Sequence, residues 1–398
     1  MSIKGKTAPF EPIPAPMIPI RVVIVAASTR WIGGQGVQAD LLIRHWQNDP
    51  AVHIHFVSID PEMPAPLRWV GPIPFLRTLV RLPFYLAELW RAIRKADIVH
   101  IFSASYWSFL LAPLPAWLTA RLRRKKTLIH YHSGEARDHL RRSSIARRIL
   151  GASDRIVVPS QYLADVFGEH DLRTEVVPNI VDLTQFSHRS REVLRPRLVC
   201  TRGFHHYYSV DLVVRAFAIV KKQYSDATLC LVGQGPLRRK IEGLVGQLGL
   251  SDVEFTGPIA HGNIARYYDQ NDIFINASWL DNMPVSILEA FAAGTPVVTT
   301  APESIRYLVE HDKTGLLCEP GDWNSLARNV IRLLREPALA RRLASNANTI
   351  AENYRWQIVR AQWLEIYRSL HATGAPVQRT TERPQSPATA SDREATTR

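Results

Sequence analysis

The stretch DIFINASWLDNMPVSILEAFAAGTPVVTT, residues 272–300, reads as one strand–loop–helix–strand unit. The apolar run at 272–278 suits a buried strand, and PVVTT at 296–300 suits another. Between them, 284–293 has the length of a short helix. Pro284 is suited to its first turn, Gly294 is placed to end it, and Pro296 forbids its continuation. Short strands joined through a helix run parallel, which makes this an α/β pattern. The same stretch poses a chemical question, because Asp281 sits in the loop and Glu289 in an otherwise apolar helix. Burying an unpaired carboxylate costs several kcal/mol. Either Glu289 is solvated and Asp281 merely offsets the helix dipole, or something holds Glu289.

Outward from this unit the pattern repeats. Apolar, β-branched runs occur at 21–27, 52–59, 96–102, 127–132, 154–160 and 174–179, with a helical pattern at 37–47. After a break near 180–196 a second series begins with RLVCTR (197–202), TLCLVG (228–233) and VEFTG (253–257), with helices at 210–223 and 236–248. Helices from about 323 to 371 close the chain. Strands spaced by helices, twice over, predict two doubly wound parallel sheets facing across a cleft, with ligands at the C-terminal ends of the strands. The expected divisions are 20–190, 191–355, a closing helix at 356–372, and tails at 1–19 and 373–398, whose composition suits disorder.

Composition narrows the function classes. The 398 residues suit two domains. Cys200, Cys230 and Cys318 are too few and too scattered for a disulfide framework, and no C-x-x-C pair offers zinc ligands. The prolines of the first twenty residues break any secretory core, and no run of 18 apolar residues exists, so the expectation is a cytoplasmic protein. The net charge is +13. Residues 68–155 hold 17 Lys and Arg against 5 Asp and Glu, so nearly the whole excess is local. Within it, 67–95 interleaves Arg with Trp, Phe and Leu, and RLRRKK (121–126) and RRSSIARR (141–148) add charge. Such segments suit an anionic membrane interface, here a peripheral one at the inner face; a solvated helix face over core aromatics is the plainer account. Nucleic acid is not expected, since no recognition motif accompanies the charge.

Five places offer chemistry. WLDNMP (279–284) is a loop at a strand end that runs into a helix N-terminus, where backbone N–H groups and a positive dipole end gather. CTRGFHHYYSV (200–210) follows the first strand of the second half and carries Arg202, His205, His206 and Tyr208. GGQGVQADLL (33–42) brings Gly33 and Gly34 to a helix start, where backbone can approach a ligand, or where glycines simply make a turn. HYHSGEARDHL (130–140) puts His130 and His132 on one side of a strand. With Glu135 they have metal-like spacing, but metal sites of this type need further ligands in a barrel, which this chain lacks. A cleft histidine is the favoured reading, ahead of a structural one and of a metal ligand. LVGQGP (231–236) ends a strand at Gly233.

The acid–x7–acid spacing followed by EAFAAGTPVV, and downstream RYLVEHDKTGLLCEPGD (306–322), resembles the retaining glycosyltransferases with two Rossmann-like domains (GT-B), family 4 in particular. The resemblance covers roughly residues 20–370. It implies a sugar transferred from a nucleotide-sugar donor to an acceptor hydroxyl with retention, in cell-surface polysaccharide or glycolipid synthesis. It implies Glu289 on the ribose hydroxyls, Asp281 near the donor sugar, and the backbone N–H groups of Val285 and Ser286 facing the diphosphate. Arg202 would be one cation of a phosphate clamp, His132 a cleft histidine, Gly33 and Gly34 a cleft-facing loop, and Gly233 part of the base site. No metal or cofactor is implied beyond the donor as substrate. The acceptor, a glycan or a lipid-linked one, would meet the N-terminal half. Two departures stand out. The first acid is Asp281 rather than Glu, and Tyr208 stands where the clamp's Lys would be. These leave open a non-catalytic nucleotide-sugar or phosphate-polyanion binding protein.

Overall fold

The computed structural model describes residues 19–28 and 34–372. The expected tails, Pro19 apart, and Gly33 lie outside the described residues. Two six-stranded parallel sheets form the frame. The first comprises β1 (Ile20–Ala26), β2 (Val52–Ser58), β3 (Ile98–Ser103), β4 (Lys126–Tyr131), β5 (Arg155–Val158) and β6 (Glu175–Val176), in the order β2-β1-β3-β4-β5-β6. The second comprises β7 (Arg197–Cys200), β8 (Thr228–Val232), β9 (Val253–Gly257), β10 (Ile273–Asn276), β11 (Val297–Thr300) and β12 (Leu316–Cys318), in the order β12-β11-β10-β7-β8-β9. Central strands such as β3 and β10 are buried on both faces because helices cover both sides. The α/β fold with two doubly wound sheets is the one the alternation predicts. Strand β12, only three residues long, carries too little pattern to be read in advance.

In each sheet the chain starts at a central strand, walks to one edge, and returns to the other side of its start. The order therefore reverses between β1 and β3 and again between β7 and β10. Loops leaving the C-terminal ends of such neighbours diverge and open a crevice. In the second sheet those loops hold Arg202, after β7, and Asp281, after β10.

The end of the chain ties the halves together. The last helix, Trp356–His371, returns to the first sheet, where Trp363 and Tyr367 are buried against β1 and β3 residues. Within the second half, Arg191 is buried at the entry to β7, donating to Asp272 at 3.2 Å and to the carbonyls of Tyr268, Asn271 and Gly294 at 2.7–2.9 Å. Among the described residues, no helix is long and apolar enough to cross a membrane.

Candidate active site

The helix after β10 spans Val285–Ala292. Pro284 is its N-cap, in extended backbone (ψ 101°), rather than in its first turn as expected. Gly294 ends it at φ +64°, a conformation that favours glycine. The helix is enclosed all round: every residue from Ser286 to Ala292 is buried. Glu289 is 5% exposed, which removes the solvated alternative. Its carboxylate is held by the hydroxyl of Tyr268, which donates to Oε2 at 2.7 Å. That hydroxyl also lies 3.0 Å from the Ser286 carbonyl and 2.6 Å from Thr201 Oγ1. Tyr268 comes from the helix Ala265–Gln270 and is fully buried. Burial pushes the Glu289 carboxyl up to about 7, against the pull of the Tyr268 hydrogen bond and the Arg202 charge. The same burial, reinforced by Glu289, pushes the Tyr268 phenol far upward.

Arg202 and Asp281, 79 positions apart, meet at the switch point. Arg202 Nη2 donates to Asp281 Oδ2 and Nη1 to Ser286 Oγ at 3.0 Å. Both charged side chains are about nine-tenths buried. Burial works against the Arg202 charge, but Asp281, together with Tyr208, Cys200 and Tyr268, outweighs it and raises the guanidinium further. The guanidinium stacks over the Tyr208 ring at 3.9 Å. Tyr208, where a second cation was expected, therefore acts as a platform for the first. Asp281 Oδ1 accepts from Asn282 N at 2.8 Å, which fixes the loop that delivers the chain to Val285 and Ser286. Arg202 Nε is buried with no hydrogen-bond partner among the described residues. Such an unmet donor is unusual in a folded interior and fits an anion supplied from outside.

Glycines bring β8 close to this loop. A Cβ on Gly233, whose φ is +149°, would lie 2.5 Å from the Arg202 carbonyl oxygen. A Cβ on Gly235 would lie 2.5 Å from that of Phe204. Neither position accommodates a side chain, and Gly233 thus supports the Arg202 backbone directly.

From the first sheet, the β4 end delivers His132. His132 is half-buried and stacks on Phe102, with ring centroids 5.2 Å apart, while the rings of His130 and His132 lie 4.0 Å apart on one face. His130 Nδ1 lies 3.2 Å from His100 Nε2, and His100 Nδ1 lies 2.7 Å from the Tyr367 hydroxyl of the last helix. Burial drops His132 to about 3, so its ring is neutral. His132 Nε2 is buried without a partner among the described residues. Among those residues, no group of three His, Cys, Asp or Glu is placed to hold a metal ion.

The two halves touch across the cleft. A Cβ on Gly134 would lie 3.2 Å from the Asp281 carbonyl oxygen, so the loops after β4 and β10 are in contact. Tyr207 donates to Glu135 at 2.8 Å, and Ser160 to Asn282 at 3.1 Å. The structure thus gathers Arg202, Asp281, Ser286 and Glu289 into one polar cluster, with Val285 at the helix start and Gly233 beneath. His132 stands on the facing strand end, and Gly34 opens the helix Gly34–Trp46 after β1. His205 and His206 belong to the loop surface, where His206 packs edge-on against Trp279. Tyr268 and Thr201 are the members that sequence reasoning missed. The available signal was that a tyrosine in a buried run needs a partner for its hydroxyl.

Comparison with known proteins bears on both halves. Residues 189–349 match the family described as glycosyl transferases group 1, and residues 32–185 match glycosyltransferase family 4. Over 228 residues, the chain is 28% identical to N-acetyl-alpha-D-glucosaminyl L-malate synthase of Bacillus anthracis, covering 56% of this chain and 58% of the relative. Over 327 residues it is 24% identical to phosphatidyl-myo-inositol mannosyltransferase of Mycobacterium leprae, covering 77% and 84%. The chain spans about half, or less, of the length of the first curated relatives it matches. Among solved structures, sucrose-phosphate synthase from Thermosynechococcus elongatus superposes with a TM-score of 0.71 at 24% identity, covering 89% of this chain and 100% of that one. HepE of Anabaena in complex with UDP-glucose gives 0.69 at 17%, covering 88% and 100%. At these identities the structural likeness establishes the fold.

Proposed function

We propose, on the footing that this chain belongs to the group 1 glycosyltransferases of family 4, that it transfers a sugar from a nucleotide-sugar donor to an acceptor hydroxyl with retention at the anomeric carbon. The observation that carries this reading is the buried carboxylate of Glu289, held by Tyr268 beside the Arg202–Asp281 pair at the switch point of the second sheet. A carboxylate in such a place suits the two hydroxyls of a ribose, and the nearby helix N-terminus suits a diphosphate.

In the reaction, the bond between the anomeric carbon and the diphosphate oxygen breaks and the nucleoside diphosphate leaves. The acceptor oxygen bonds to the anomeric carbon and its proton is released. Negative charge grows on the departing oxygen, so fixed donors aimed there lower the barrier. Arg202, with its unmet Nε, and the N–H groups of Val285 and Ser286 take that role. Asp281 orients Arg202 and meets the sugar, and neutral His132 offers a hydrogen bond from the facing half. The acceptor approaches from the first sheet. The relative named for mannosyl transfer to phosphatidyl-myo-inositol supports a lipid-linked acceptor and a place in glycolipid or cell-surface polysaccharide synthesis. The neighbour solved with UDP-glucose supports a nucleotide-sugar donor.

The test is thermal shift across UDP-, GDP- and ADP-sugars, followed by donor turnover and NMR of the product's anomeric configuration. A donor at 100 times its dissociation constant stabilises the protein by about 2.7 kcal/mol. No shift with any donor refutes the reading, and an inverted product refutes retention. One observation favours a second reading: the Arg202 charge is already matched by Asp281, and Tyr208 replaces a second cation. A non-catalytic nucleotide-sugar binder would look the same. Donor turnover by the wild type, abolished in Glu289→Ala, excludes it.

A further inference from the structure

We infer that the helix Pro74–Arg94, with the short helices Tyr106–Leu111 and Pro113–Leu122, forms a surface that docks on an anionic lipid bilayer and holds the cleft mouth at the lipid headgroups. This deepens the transfer reading by naming the partner that would present the acceptor, and only the orientation of the cleft rests on that reading. The surface is defined by apolar side chains that the fold leaves in water. Phe75 is 91% exposed, Trp107 75% and Trp69 67%. At about 200 Å² per ring, these three leave on the order of 450 Å² of aromatic surface in water. That alone reaches the ~300–600 Å² of the largest apolar patch on an ordinary monomer.

The exposure is patterned. Phe75, Leu79, Leu86 and Trp90 recur at spacings of four, seven and four, which places them on one helical stripe. Trp107, Leu111, Leu118 and Leu122 repeat the same spacings across the two short helices. The long helix is anchored to the domain chiefly through the buried Tyr85, Leu89 and Ile93, with Leu82 partly buried beside them. From Ile73 to Phe84, no side chain described is buried. Among the described residues, the first half of the helix is thus held less deeply than the second, and Phe75 and Leu79 project from it into water.

The two helical segments are continuous. Tyr85 donates to the Ala112 carbonyl at 2.8 Å, and the Arg123 guanidinium lies 3.6 Å from the centre of the Trp90 ring. Charge selects the occupant. Residues 65–95 and 106–126 carry eleven Lys and Arg against Glu88 alone. Arg91, Arg94, Arg121 and Arg124 are exposed among the rings. Aromatic anchors that enter the interface, with cations beside them that reach the headgroups, match an anionic bilayer. A second copy of this chain would bring the same positive charge against itself. Position supplies the function, because Trp107 lies four residues past the C-terminal end of β3, on the edge of the first sheet that borders the cleft.

The experiment is co-sedimentation of the full chain with phosphatidylcholine vesicles, with and without phosphatidylglycerol, at low and high salt. Wild type is expected on the anionic vesicles at low salt and to release partly at high salt. The variant Trp69→Ser/Phe75→Ser/Leu79→Ser/Trp107→Ser should lose at least about tenfold in partitioning. Arg91→Glu/Arg94→Glu/Arg121→Glu should bind poorly at low salt. Both variants should keep the wild-type melting temperature and the donor-induced thermal shift, which separates lost docking from lost folding or lost transfer. Absence of wild-type binding to anionic vesicles overturns the inference, as does wild-type binding by both variants. A wild-type dimer that the serine variant converts to monomer, without vesicle binding, would assign the surface to self-association. Binding to a duplex oligonucleotide but not to vesicles would assign it to nucleic acid.

Discussion

Replacing Glu289 with glutamine keeps the side-chain volume and removes the charge, so it isolates what the carboxylate does. The group is buried and accepts from the Tyr268 hydroxyl at 2.7 Å. Two ribose hydroxyls donating to it would form charge-assisted bonds, each about 1.5–3 kcal/mol net. The amide keeps one acceptor oxygen, so roughly one such bond is lost. Donor Kd should therefore rise by about 10- to 150-fold, with the sugar-transfer step affected less than binding. The pH dependence sharpens the test. Burial holds the carboxyl up to about 7, while an unfolded glutamate titrates near about 4.3. The folded pKa is the higher one, so this group's stabilising contribution is fully present below about pH 4.3 and is lost as pH rises through about 7. The loss across that window is on the order of 3–4 kcal/mol. On the proposed reading donor binding needs the carboxylate, so donor affinity should run the other way and fall by up to about tenfold for each pH unit below about 7. The assay is calorimetric titration with UDP-glucose, or the best donor of the panel, on both sides of pH 7, paired with urea unfolding over the same range. Glu289→Gln should weaken binding and flatten both profiles. A donor lacking the ribose 2′ or 3′ hydroxyl should bind wild type weakly but lose little more in the variant. Wild-type affinity in Glu289→Gln, or a flat wild-type profile, would show that Glu289 does not grip the ribose.

Other outcomes follow from the same geometry. Tyr268→Phe removes the hydroxyl that holds Glu289 and lowers its pKa, so calorimetry should show donor Kd rising by about 5- to 30-fold and the apparent pKa for binding moving upward; a purely structural tyrosine would leave that pKa in place. Gly235→Ala puts a Cβ 2.5 Å from the Phe204 carbonyl oxygen, and urea unfolding should show a loss of about 2 kcal/mol or more, together with weaker donor binding as the Arg202 loop shifts. Arg191→Ala removes a donor from four buried carbonyls and a buried partner from Asp272, and should destabilise the fold by about 3 kcal/mol or more in the same assay, whatever it does to donor affinity.

What the chain declared in advance and what it withheld have different physical origins. The helix after β10 was legible because its limits are local: Pro284 and Gly294 act on the backbone within a residue or two of themselves, and the alternation of strand and helix is a matter of period. The misplacement of Pro284 by one position is an uncertainty of the same local kind. The pairing of Arg202 with Asp281 was not legible, because it depends on β7 and β10 lying side by side, and strand order leaves no mark on spacing. Nor did the sequence reveal which group would answer Glu289. Tyr267 and Tyr268 are adjacent and both buried, and only the packing of Ala265–Gln270 on Val285–Ala292 decides that Tyr268 turns its hydroxyl to the carboxylate. Tyr208 teaches the reverse lesson. Read as a gap in a cationic clamp, it looked like a loss, yet its ring lies 3.9 Å from the Arg202 guanidinium and helps to hold that one cation in place. A clamp built from one guanidinium, stacked on a ring and tethered to Asp281 and Ser286, supplies less charge than two cations but loses less conformational freedom when the diphosphate arrives. On the proposed reading, the departure from the family pattern at Tyr208 bears on how tightly the leaving group is held before transfer. Tyr208→Lys is the substitution that separates the two designs: extra charge should tighten nucleoside diphosphate binding by up to about tenfold while slowing its release, and an unchanged affinity would show that the ring already supplies what the second cation would.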